Sequence, residues 1–169
     1  MDEVAFHKEP SNLVSICVDQ VTDGCLSGRI YHKFNQEPIR FCGAEGILMI
    51  LEQLMDELKC PQASVQTRRF TTANTQRRDL LMSNKEINEP TAYSGQEATF
   101  VVHVKYRQNA TWQGVVTWAE KKKQKSFRSA LELIKLMDSA IEETNQPEHQ
   151  REAKELENDP VENVRRQQL

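Results

Sequence analysis

Three basic clusters are the first residues whose types and spacing could do chemistry: Arg68-Arg69, Arg77-Arg78 and Lys121-Lys122-Lys123-Gln124-Lys125. Converging on one surface, they would neutralise phosphates and bind nucleic acid in a salt-dependent way. A plain reading competes with this one, because lysines in a strand-to-helix loop are ordinary solvated charges. Neither an aromatic-rich RNA-binding signature nor a helix-turn-helix accompanies the clusters. A second group is Arg107, Gln108, Asn109, Thr111 and Trp112, at the tip of an expected hairpin. Aromatic and arginine side chains anchor interfaces well, so this group is the candidate docking patch. Trp112 and Trp118 also carry the parity of an inward strand face, and for both the competing use is core.

Catalysis needs nucleophiles, acids or metal ligands that converge. His7, His32, His103 and His149 are scattered, with no His-x-x-x-His or His-x-Glu spacing, and no glycine-rich phosphate cradle is present. The cysteines Cys17, Cys25, Cys42 and Cys60 form no CxxC pair and read as reduced thiols in or near a core. The sequence therefore points to no metal and no cofactor and to a non-enzyme, with an unrecognised enzyme as a minor alternative. Asn109-x-Thr111-x-x-Gly114 resembles half of the cyclic-dinucleotide motif of PilZ domains. The other half, an upstream Arg-x-x-x-Arg, has no counterpart in Arg68, Arg69, Arg77 and Arg78, which leaves a small-ligand sensor as a minor alternative.

Two copies of a strand–strand–helix unit are expected to position these residues. Val14 to Val18 alternates with the period of a half-buried strand, Thr22-Asp23-Gly24 can turn, and the stretch from Leu26 alternates again. From Ala44, apolar residues at Ile47, Leu48, Leu51, Leu54, Met55 and Leu58 trace one face of a helix that stops before Pro61. The order recurs late in the chain. Phe100 to Tyr106 alternates, Gln108-Asn109-Ala110 can turn, Trp112 to Trp118 returns, and Ser126 stands ready to cap a helix carrying Ala130, Leu133, Ile134, Met137 and Ile141. One displacement carries Val14 onto Phe100, Ile16 onto Val102, Gly28 onto Gly114 and Phe41 onto Phe127. The shared register of two hydrophobic periods, not identity, is what makes a repeat.

The expected fold is therefore α+β: a tandem ββα repeat forming an antiparallel sheet of about four strands, with two helices on one face. One such unit buries too little to fold alone. The units span 1–60 and 100–142, joined by an irregular connector over 61–99 with an edge strand at 63–70, and followed by a polar tail over 143–169. The outer sheet face is expected to show Ser15, Cys17, Asp19, Arg29, His103, Lys105 and Arg107 to water or to a partner. At 169 residues, 38% hydrophobic, with a mean hydropathy of -0.67 and a net charge of -3, nothing in the composition attracts nucleic acid or anionic membrane in general. No secretory leader or long apolar run is visible, so a cytoplasmic protein is expected.

Tyr106-Arg-Gln-Asn-Ala-Thr-Trp-Gln-Gly114 followed by Phe127-Arg-Ser-Ala-Leu-Glu-Leu-Ile-Lys-Leu-Met-Asp138 resembles a module of small hypothetical proteins from gut Gram-positive bacteria. Asp56 to Phe70, with Pro61-Gln62 and Arg69-Phe70, is similar to the mid-section of the same group. The resemblance implies a bacterial origin and no particular activity. The expected function is a non-catalytic regulatory protein that docks on a protein or nucleoprotein, for which a homodimer is compatible. One concrete form is an inhibitor or accessory factor of a nucleoprotein, carried by a mobile element. The alternative is direct nucleic-acid binding through Arg68, Arg69, Arg77, Arg78, Lys121, Lys122, Lys123 and Lys125.

Overall fold

The computed structural model describes residues 10–65, 70, 79–81, 85–109 and 111–145. Its elements run β1 (Leu13–Thr22), β2 (Cys25–His32), β3 (Ile39–Cys42), α1 (Gly43–Leu58), β4 (Ala98–Tyr106), β5 (Gln113–Trp118), β6 (Lys123–Phe127) and α2 (Ala130–Asn145). The strands form one antiparallel sheet of order β3-β2-β1-β4-β5-β6. The class is α+β, as expected, but the sheet has six strands rather than about four. The two extra strands, β3 and β6, are edges, each held inward by one buried residue, Phe41 or Phe127. β6 has one inward anchor and otherwise polar residues, so it shows no alternation, and β3 is only four residues long, too short for its Ile39/Phe41 alternation to stand out from a loop.

Hairpins join the strands in each half. Asp23 and Gly24 both have positive φ, 51° and 75°, which matches the mirror-image turn favoured between twisted strands. β1 and β4 meet at the centre of the sheet, where Ser15 faces Val101 and Ile16 faces Phe100. Strands and helices share one core. Val14, Ile16, Val18, Ile30, Phe100, Val102, Val104, Val116 and Phe127 pack under Ile47, Leu51 and Leu54 of α1 and Leu133, Met137 and Ile141 of α2.

Gly28 and Gly114 sit at like places. Each pairs with the residue just before a register shift, Val18 or Val104, and each lies beside the edge-strand phenylalanine. A Cβ would run into the Cys17 carbonyl at Gly28 and into the His103 carbonyl at Gly114. Only glycine lets the bulged strand approach this closely. The helix starts differ: Cys42 stands before α1 and makes no side-chain capping bond. Lys59, in the left-handed region at φ 53°, ends α1. For α2 the cap is Ser129 rather than Ser126: Ser129 Oγ accepts from the Glu132 N–H at 3.0 Å, and the Glu132 carboxylate accepts from the Arg128 N–H at 2.6 Å. Ser126 belongs to β6.

Among the described residues the connector between α1 and β4 holds no strand or α-helix, only a single 3-10 turn over Pro90–Ala92, yet parts of it are tied to the rest of the chain. Leu80 is buried, and the Glu57 carboxylate at the end of α1 accepts from the Leu80 and Leu81 N–H groups at 2.9 and 3.1 Å. Ile87 and Asn88 N–H groups donate to the Lys33 carbonyl at 2.8 and 3.0 Å. Tyr93 then stacks on Tyr31 with ring centroids 3.8 Å apart, and Arg29 donates to the Ser94 carbonyl at 3.3 Å. Tyr93 to Gly95 thus lie over the outer face of β1 and β2, whereas Leu80 joins the core beside α1. Of the expected edge strand at 63–70, the described part is a single parallel bridge between Ala63 and Arg107.

Candidate functional site

The hairpin tip between β4 and β5 carries the expected docking patch. Gln108 and Asn109 are exposed there, and Asn109 takes a positive φ of 54° to make the turn. Arg107 is not exposed. Only 5% of it reaches solvent, because the register shift between Val104 and Tyr106 turns it from the outer face to the α1 side. There it donates to Asp56 at 2.8 Å and to the Pro61 carbonyl at 2.8 Å, and lies 3.2 Å from Glu52. Trp112 is half-buried, with Nε1 donating to Glu52 at 3.0 Å. Thr111 Oγ1 donates to the Arg128 carbonyl at 3.0 Å. Three of the five residues therefore tie the hairpin to its own chain, Arg107 and Trp112 to α1 and Thr111 to the approach to α2. Of the three, Arg107 is buried, while Thr111 and Trp112 keep part of their surface open.

The lysine cluster lies on the β5–β6 turn and along β6. Lys122 has φ 52° in the turn, and Lys121, Lys122, Lys123 and Lys125 are all exposed. Lys123 pairs with Glu143 at 3.0 Å and lies 5.9 Å from the centre of the Trp118 ring. Lysines along an open edge strand also keep it from pairing with another sheet. Lys123 and Lys125 rim a shallow cleft of about 110 Å³ floored by Phe100, Val116, Trp118 and Leu136. That is smaller than the several hundred Å³ typical of a small-molecule pocket. Arg68, Arg69, Arg77 and Arg78 lie outside the described residues.

His7 and His149 lie outside the described residues, and His32 and His103 sit in separate surroundings. His32 is fully buried; its Nδ1 accepts from the Phe34 N–H at 3.3 Å, and burial pushes its pKa down to about 4. His103 is half-buried, and burial together with Lys105 lowers its pKa. Among the described residues, no three His, Cys, Asp or Glu side chains are grouped to hold a metal ion. The cysteines are divided. Cys17 is buried, which raises its thiol pKa to about 11, whereas Cys25 and Cys42 are exposed.

What the sequence missed is an asymmetry of the outer sheet face. On the first half, Ser15 and Cys17 are buried rather than open. Beside them Arg29 grips Asp19 through two hydrogen bonds of 2.7 and 2.8 Å, and this pair holds the Asp19 carboxyl below its ordinary range. The places on the second half are Val101, His103, Lys105, Val115 and Thr117. Among the described residues nothing comparable to Tyr93–Gly95 covers them: Lys105 is exposed and the other four are half-buried. A signal in the sequence was the presence of apolar residues, Leu80, Leu81, Pro90 and Tyr93 among them, in a largely polar connector. Among the described residues no helix is long and apolar enough to cross a membrane. No family model, no curated protein and no solved structure matches the chain.

Proposed function

We propose that the protein is a non-catalytic binding module that docks an extended, acidic segment of another protein on the outer face of β4–β6. The observation that carries this reading is the asymmetry of that face. On the first half the same face is covered by an extended stretch of the connector, which lays an aromatic ring on Tyr31 and gives a backbone carbonyl to Arg29. On the second half Val101, Val115 and Thr117 offer a half-exposed floor, with His103 and Lys105 along one strand. An extended segment with an apolar side chain for Val101 and Val115 and a carboxylate for Lys105 fits that chemistry. The exposed Lys121 and Lys122 at the neighbouring turn would draw an acidic partner in before contact. The hairpin tip at Gln108 and Asn109 remains outside this surface, since its strongest anchors are tied to α1.

The test is capture of partners from bacterial lysate by the native chain and by a Val115→Glu, Thr117→Glu double variant, each with and without nuclease. Both sites are half-exposed, so the variant should keep its circular dichroism and melting behaviour. A protein partner that survives nuclease and is lost with the double variant is the expected result. Capture unaffected by the two glutamates overturns the assignment of the face. Partners that vanish with nuclease, together with recovered RNA or DNA, overturn protein docking in favour of the basic clusters.

A further inference from the structure

Cys25 opens β2, Cys42 ends β3 as the N-cap of α1, and their Sγ atoms stand 3.8 Å apart at the surface. Cys42 makes no side-chain capping bond to the helix, so its sulfur is not committed there. In the second half the like places are held by Thr111 and Arg128. There Thr111 Oγ1 donates to the Arg128 carbonyl at 3.0 Å, closing the corner between the second strand and the helix entry. In the first half the same corner is spanned by two thiols in contact.

We propose that Cys25 and Cys42 form a reactive dithiol site that takes a low-molecular-weight disulfide, such as glutathione disulfide, as its substrate and becomes an intramolecular disulfide closing this corner. The thiolate of one cysteine attacks a sulfur of the small disulfide, forming a mixed disulfide and expelling one small thiolate. The other cysteine's thiolate attacks the protein sulfur of that mixed disulfide and expels the second. Two protein thiols are oxidised by two electrons, the small disulfide is reduced to two thiols, and the two protons follow the released thiolates.

The geometry favours closure within the chain. A disulfide needs its sulfurs about 2 Å apart, and the present contact leaves less than a bond length and a half to travel. Gly43, next to Cys42, brings no side chain toward Cys25; even a Cβ there would stand 3.9 Å from Cys25 Sγ. Cys17 is buried and takes no part. The neighbouring Cys42 sulfur raises the Cys25 thiol pKa, which keeps its thiolate scarce near neutral pH and makes the exchange faster in alkaline buffer.

The experiment equilibrates the full chain in glutathione buffers of increasing oxidised fraction, quenches with acid, alkylates remaining thiols in denaturant and maps the peptides by mass. Cys25 and Cys42 should leave the alkylated pool together, as one linked pair lighter by two hydrogens, while Cys17 stays alkylated. A Cys42→Ser variant should instead collect glutathione on Cys25. In the oxidised native chain, amide exchange over Phe41 to Ala44 should slow by roughly an order of magnitude. Separate titration of Cys25 and Cys42 as glutathione adducts, or a link to Cys60 in place of this one, overturns the site. Unchanged exchange in the linked protein overturns the closing of the corner.

Discussion

At the scale of single residues, charge and burial decide which candidates act and which hold the fold. Arg107 looked like an interface anchor because arginine at a hairpin tip usually reaches water. The bulge at Val104/Tyr106 reverses its direction, and the carboxylates of Glu52 and Asp56 then meet it beside α1. Both carboxylates keep contact with solvent, with side chains 30% and 40% exposed, so the buried guanidinium gains partners without burying two full charges. His32 is the opposite case, a titratable ring buried without a charge partner. Its pKa of about 4 in the folded chain lies below the ordinary 6.5, to which it returns on unfolding. Between those values the unfolded chain holds the extra proton. Stability from His32 is therefore fully present above pH 6.5 and is lost as pH falls toward 4, by about 3 kcal/mol. Urea unfolding at pH 7, 5.5 and 4 should show this decline, and a His32→Gln variant should lose the part of the slope that the ring supplies. An equal slope in the variant would place the acid sensitivity elsewhere.

At the scale of elements, Gly114 shows how much a strand depends on one missing side chain. A Cβ there would meet the His103 carbonyl and stand 2.8 Å from Phe127 Cζ and 2.9 Å from Val104 Cα. Backbone on one side and a fully buried ring on the other leave no cheap adjustment. Gly114→Ala should cost about 1–3 kcal/mol and loosen β6, visible as a lower urea midpoint and faster amide exchange at Phe127. Ser126→Ala on the exposed edge should move the midpoint little and serves as the control. The paired glycines and phenylalanines were legible in the sequence, and so were β1, β2, β4, β5 and both helices, because each of these elements buries a regular face. Edge strands escape that logic. β6 reads Lys-Gln-Lys-Ser-Phe, and its pairing with β5 is made by backbone groups that no side-chain period reports. The open outer face was hidden for a related reason. Whether the face around Tyr31 meets water depends on where Tyr93 lands, a contact far away in the chain.

At the scale of the whole molecule, the two halves are joined by two kinds of bond that differ in character. The β1–β4 ladder runs through the middle of the sheet over six paired residues, from Leu13↔His103 to Val18↔Ala98. Arg107 and Trp112, from the second half, reach α1 of the first. A core continuous under both helices leaves neither half a surface of its own to fold around, since three strands and one helix bury too little apolar area. Unfolding should therefore be a single cooperative event. The sequence supplies a probe for each half. Both tryptophans, Trp112 and Trp118, lie in the second half, and Cys17, a buried thiol, lies in the first. Tryptophan fluorescence and the urea dependence of Cys17 alkylation, followed in a Cys25→Ser, Cys42→Ser, Cys60→Ser background, should give one midpoint and one slope. If Cys17 becomes reactive at a urea concentration where the tryptophans are still native, the halves unfold separately and the central ladder is weaker than its register implies. Coincident curves would mean that the outer face of β4–β6 stays ordered for as long as the protein is folded at all. A docking surface of that kind can be offered ready-made, with the ordering cost falling on the extended partner alone.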